Sequence, residues 1–163
     1  MAARSAWTAG NGVALTWSTA INSADMASMA TANTVVSSVA DIANGTNLDM
    51  FMDVSVSLVI ASSTIASGAN LALWLFPLNQ DGTTYGDGQF TNGTAAAKTP
   101  AFAPFATIPL VAAASQTALL GAVTQIMIPP GSFRLAIQNN SGFTLTAGTQ
   151  AVKYRTYNIN LNN

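Results

Sequence analysis

Met50-Phe51-Met52-Asp53-Val54-Ser55-Val56-Ser57-Leu58-Val59-Ile60-Ala61 is the stretch that decides the fold. Met50, Met52, Val54, Val56, Leu58 and Ile60 take every second position, with Phe51, Asp53, Ser55, Ser57, Val59 and Ala61 between them. Successive side chains of a β-strand point to opposite faces, so this pattern sends one row into a core and leaves a mixed row outside. On a helix the same residues would scatter around the circumference. Fully extended, the segment reaches roughly 40 Å.

The neighbouring segments repeat the theme. Leu71 to Leu78 sets Trp74 and Phe76 opposite Leu71, Leu73 and Leu75, so both faces read as buried, as in a central strand or one covered by another subunit. Asn79 to Phe90 contains two Asp-Gly pairs, Asp81-Gly82 and Asp87-Gly88, and reads as a looped connection. Thr91 to Pro109 has no period; three prolines punctuate it, and Phe102 and Phe105 serve as packing anchors. Ala118 to Ile128 and Ser132 to Asn139 read as strands, and Phe143 to Ala147 as a short one. The last strand, Val152 to Leu161, shifts its apolar set from even to odd positions near Thr156, which predicts a β-bulge or a strand entering a second environment.

Before Met50 the pattern is weaker. Val13 to Trp17 and Thr34 to Val39 look like short strands, and Ser23 to Ala32 reads as a helical turn or an extended arm. The expected organisation is one domain, with residues 1–47 an N-terminal arm carrying one or two short strands and packed on a β-sandwich formed by 48–163. The fold class is all-β: an antiparallel sandwich of about eight strands, with a jelly roll as the expected version. An immunoglobulin-like sandwich is the nearest rival, and its Cys–Trp–Cys signature is missing.

Composition constrains function. The chain has 163 residues, no Cys, no His, and only 7% charged residues against 50% hydrophobic. All six acids are Asp. A mass of 16.7 kDa predicts about 7,600 Å² exposed when folded against about 24,000 Å² unfolded, enough burial for a core without staples. A surface so poor in charge is unusual for a freely diffusing monomer and points to coverage by neighbours. The net charge of −1 leaves no electrostatic footprint for nucleic acid. Lys153 and Arg155 share a strand face, read as solvated or as a subunit contact. No apolar run is long enough to span a membrane as a helix, and Met1 to Ala9 lacks the pattern of a secretory signal.

Catalytic equipment is sparse. Without His or Cys, neither a Ser-His-Asp nor a Cys-His arrangement can be assembled. Asp49 and Asp53 lie four residues apart, about 13 Å along a strand, too far for a carboxylate couple, and read as solvent-facing charges on a rim. Asp81 and Asp87, beside Asn79 and Thr83, supply loop oxygens, but turn formation accounts for them better than Ca²⁺. Gly82, Gly86 and Gly88 lack the Lys and the helix of a phosphate loop. The expectation is a non-enzyme with no cofactor and no metal. Trp7, Trp17, Trp74, Tyr85, Tyr154 and Tyr157 could line a sugar-binding face, and a core or interface is the commoner place for such aromatics.

Three stretches carry a resemblance: Leu73–Leu78 with the loop Asn79 to Gly88, Ile128-Pro129-Pro130-Gly131-Ser132-Phe133-Arg134-Leu135, and Gln138-Asn139-Asn140-Ser141-Gly142. Over Met50 to Leu161 the chain resembles the jelly-roll decoration, or cement, proteins of tailed-bacteriophage heads. The resemblance implies a homotrimer on the outer surface of the virion that clamps neighbouring major capsid subunits, without nucleic acid or membrane. Candidate interface residues are Trp7, Trp17, Met26 and Met29 in the arm, and Tyr85, Phe90, Phe102 and Phe105 in the long loop. The alternative functions are a carbohydrate- or receptor-binding module of a tail fibre or spike, and a Ca²⁺-stabilised adhesin domain.

Overall fold

The structure, a computed structural model, describes residues 4–8, 15–86 and 90–162, with side chains at all of these except 4–8, 62 and 160–162. No helix occurs among them. Among the described residues nine strands form two antiparallel sheets: β1 (Arg4–Thr8), β2 (Ser18–Ile21), β3 (Thr34–Val36), β4 (Phe51–Ser63), β5 (Asn70–Pro77), β6 (Ala106–Pro109), β7 (Gln116–Met127), β8 (Phe133–Asn140) and β9 (Ala151–Asn162). One sheet runs β1-β9-β4-β7, with β2 also on β9; the other runs β3-β8-β5-β6. β1 pairs Asn158 to Asn162 and β2 pairs Val152 to Tyr154, so the two take successive stretches of β9. The result is a β-sandwich.

The pairings nest. β5 pairs β6, β4 pairs β7, β3 pairs β8 and β2 pairs β9, as if one long hairpin had been rolled up from its β5–β6 tip. Rolling brings β4 beside β9 and β5 beside β8, which closes each sheet.

β4 explains the core. Met52, Val54, Val56, Leu58 and Ile60 are all buried to 2% exposure or less, facing Leu71, Leu73, Leu135 and Ile137 of the other sheet. Met50 departs from the expected row: it precedes the strand and is 54% exposed. Trp74 and Phe76 are buried on the far face of β5, and the chain covers them itself. The loop after β5 returns over that face, where the Trp74 indole N–H donates to the Phe102 carbonyl at 2.9 Å and Phe90 and Phe102 pack edge-on against Phe76.

Several local readings change. The segment expected as an arm with one or two short strands carries β1, β2 and β3, each hydrogen-bonded into a sheet, and β3 falls within the strand expected at Thr34 to Val39. Residues 15–17 are not a strand, and Val13 lies outside the described residues. Ser23 to Ser28 forms turns, with Met26 and Met29 plugging the core at 0% and 1% exposure. The strand expected at Phe143 to Ala147 reduces to one bridge, Leu145 to Ile60. β6 was not legible because four residues ending on Pro109 carry no usable period. β9 has no bulge opposite β4: the register runs unbroken from Phe51–Tyr157 to Ser57–Ala151. Its apolar set changes parity because Tyr157 is buried on the outer face, and because β9 passes from β4 to β1 beyond it.

The irregularity lies in β7 instead. Met52 faces Ile126 and Val54 faces Val123, so β7 holds one extra residue at Thr124–Gln125, with Gln125 at φ 58°. At the same edge, Gly121 packs under β6: a Cβ there would lie 2.4 Å from Ile108 Cγ2. Gly121→Ala is therefore expected to cost about 1–3 kcal/mol by overpacking, read as a lowered melting temperature. Combined with Ile108→Ala, the total loss should be smaller than the sum of the two single losses, whereas independent sites would sum.

Candidate functional site

The outer face of the β9-β4-β7 sheet carries a buried carboxylate. Asp53 lies on the row expected to face solvent, yet is only 4% exposed. Its Oδ1 accepts the Gln125 backbone N–H at 3.0 Å and the Tyr157 hydroxyl at 2.9 Å. Its Oδ2 accepts Arg155 Nε–H at 2.9 Å and lies 2.8 Å from Arg155 Nη2. Strand order builds this cluster. Asp53 and Arg155 are directly opposed across β4 and β9, as are Phe51 and Tyr157, whose rings stack at 6.0 Å. The β7 bulge turns the Gln125 N–H inward from the other side, which relieves a donor the ladder leaves unpaired. The Arg155 guanidinium lies 4.8 Å over the Trp17 ring.

Burial pushes the Asp53 carboxyl up, but the Gln125 N–H, the Arg155 and Tyr157 hydrogen bonds and the Arg155 charge together hold it below its ordinary 3.8. Burial, then the Asp53 carboxylate, pushes Tyr157 up to about 12. With four contacts made, Asp53 has no acceptor direction left for an incoming group. Its work is to tie β4, β7 and β9 together. Beside it lies a cavity of about 420 Å³, lined by Leu15, Thr124, Gln125, Arg155 and Tyr157 as well as Asp53.

Asp49 is also buried, at 3%. Asn44 spans its backbone N–H and carbonyl at 2.7 and 2.8 Å, and the Asn158 amide donates to its Oδ1 at 3.2 Å. The two acids expected on a solvent rim are therefore both structural, because β9 and the 44–49 turn cover them.

A second polar cluster sits on the opposite sheet. Arg134 pairs with Asp41 and lies 4.9 Å over the Tyr85 ring. The Tyr85 hydroxyl is buried next to the Asp41 carboxylate, off hydrogen-bonding geometry, and burial followed by that carboxylate raises it to about 12. Val36, Phe76, Phe90 and Arg134 line a second cavity of about 420 Å³ here. In the following turn, Asp81 accepts the backbone N–H groups of Thr83 and Thr84, each at 2.8 Å, and the Thr84 hydroxyl. Those bonds, the Thr84 hydroxyl first, hold its carboxyl at about 2. Asp81 makes a turn; Asp87 and Gly88 lie outside the described residues. Among the described residues no three Asp side chains gather as metal ligands.

The candidate interface residues do not form one surface. Trp17 is 41% exposed beside Arg155, while Met26 and Met29 are core residues with no surface to offer. Tyr85, Phe90 and Phe102 line the loop that covers Trp74 and Phe76, and Phe102 keeps 39% exposure. Phe105 packs against the main core. Trp7 opposes Ile159 in the β1–β9 ladder, and its side chain lies outside the described residues. What the sequence reading missed is the outer face of β7, where Leu120 is 69% and Met127 76% exposed. The strand itself was legible, but an edge position depends on sheet order. No protein-family model, no curated protein and no solved structure matches this chain.

Asp53 yields a pH prediction. Its folded pKa lies below the unfolded value of 3.8, so its stabilisation is present above that pH and fades as pH falls through the folded value. Asp53→Asn should cost about 1–3 kcal/mol near neutral pH, discounted because Arg155 is partly exposed. Between about pH 5 and pH 2 its melting temperature should fall less steeply than that of the unaltered protein; thermal melts across this range measure both.

Proposed function

We propose that the protein is a structural component of a virus particle: a decoration, or cement, protein on the outside of a phage head that binds neighbouring major capsid subunits. In this reading it is not an enzyme, and its sandwich is a jelly roll. The nested strand pairs, rolled from the β5–β6 tip, support the jelly roll. The observation that carries the function is an asymmetry between the two outer faces. The β8-β5 face is covered by the chain's own long loop, whereas the β7 side of the other sheet is left bare, apolar and uncharged. Apolar area left open in this way is what a clamp buries on its support. With few charges, that surface loses little to desolvation when covered.

A second reading rests on the cavity beside Asp53. Thr124, Gln125 and Arg155 bring hydroxyl, amide and guanidinium groups to its wall, a set suited to a polyhydroxylated ligand of a tail-fibre or spike module.

Co-sedimentation separates the two. A head clamp should pellet with expanded capsids, stay in solution with isolated major capsid subunits, and give a blank glycan array. Failure to bind expanded capsids overturns the first reading, and saccharide binding lost on Gln125→Ala establishes the second.

A further inference from the structure

β7 ends its sheet, and among the described residues β4 is its only partner within that sheet. Its twelve residues, Gln116–Met127, include no charged residue and no proline. Edge strands are normally protected by a Lys, a Pro, a bulge or a short length. Here the protection is confined to the two ends, the bulge at Thr124–Gln125 and a register shift between Gln116 and Ala118, leaving Ala118 to Val123 regular. The bulge has a second effect. Leu120 opposes Ser57 and Met127 opposes Phe51, both on the outer row of β4, so one extra residue brings these two exposed side chains onto the same face.

We propose that β7 pairs antiparallel with β7 of a second copy of this chain, across a two-fold axis normal to the sheet, with Leu120 opposite its own counterpart. Charge favours a copy over an unlike partner. An uncharged strand meets itself antiparallel with no like charges opposed, and a two-fold contact needs one surface only. The register follows from facing. Opposed residues of an antiparallel ladder point to the same side, so the axis passes through a residue and not between two. Placed at Leu120, it sets Ala118 opposite Ala122, Leu119 opposite Gly121 and Thr117 opposite Val123, ending just before the bulge. Placed at Leu119, it would centre on a side chain already 3% exposed and leave Leu120 facing only an Ala.

This contact does not depend on the particle-shell reading: a dimer that ignores capsids removes that reading and leaves the contact standing. The chain has no Cys, so Leu120→Cys introduces a single thiol. Opposed Cα atoms in such a ladder lie about 4.5–5.5 Å apart, within the range a disulfide spans. Mild oxidation of dilute protein should give a non-reducing gel band at twice 16.7 kDa. Val111→Cys, 82% exposed and off the strand, should stay monomeric under the same treatment. Leu120→Lys should shift the sedimenting species from dimer to monomer with an unchanged β circular dichroism spectrum. No cross-link at Leu120→Cys, equal cross-linking at Val111→Cys, or a sedimenting monomer or trimer for the unaltered chain overturns the proposal.

Discussion

β4 presents an unbroken apolar row from Met52 to Ile60 on one side, and water cannot be left against it. Burying that row needs a second sheet, and satisfying the backbone of a thirteen-residue strand needs a neighbour along each edge. β7 and β9 supply the edges; β5 and β8 supply the opposing layer. The rest of the molecule arranges itself around that demand. β9 and β8 come from far along the chain, and the rolled pairing of strands lets both layers close at once.

The polar interior obeys the same demand from the other side. Asp53 is on the row that alternation sends outward, and a lone carboxylate at 4% exposure would be costly. It persists because two neighbouring strands deliver donors to it: β7 through its bulge, and β9 through Arg155 and Tyr157. A bulge that would otherwise leave a backbone N–H unpaired and an acid that needs donors solve one another's problem. The same bulge sets the phase of the exposed edge beyond it, so an interior electrostatic arrangement and an exterior apolar surface share one cause.

The contrast between the two outer faces bears on function. On β5, aromatic side chains that would otherwise be exposed are covered by a loop of the same chain, at the expense of ordering that long segment. On β7 the described residues provide no such cover. With 7% charged residues, the chain also lacks the usual means of keeping bare strands apart. In the proposed reading, this bare side is what the protein presents to the particle it decorates.

Much was readable from the sequence alone. The period of two over Met50 to Ala61 gave β4 and its inward row, turn residues separated β7, β8 and β9, and Asp81 read as a turn-former. These signals are local: alternation and turn chemistry are set by neighbours a few positions away. Asp53 read as a solvated charge because its partners stand 72, 102 and 104 residues further on, and no local pattern announces them. Tyr157 likewise looked like a slip in the strand when it was a cover for that acid. Met26 and Met29 looked like surface contacts because composition does not say which way a turn points. Alternation fixed which side chains share a face; only the order of strands across each sheet decided which faces are buried, which are covered by loops, and which are left open.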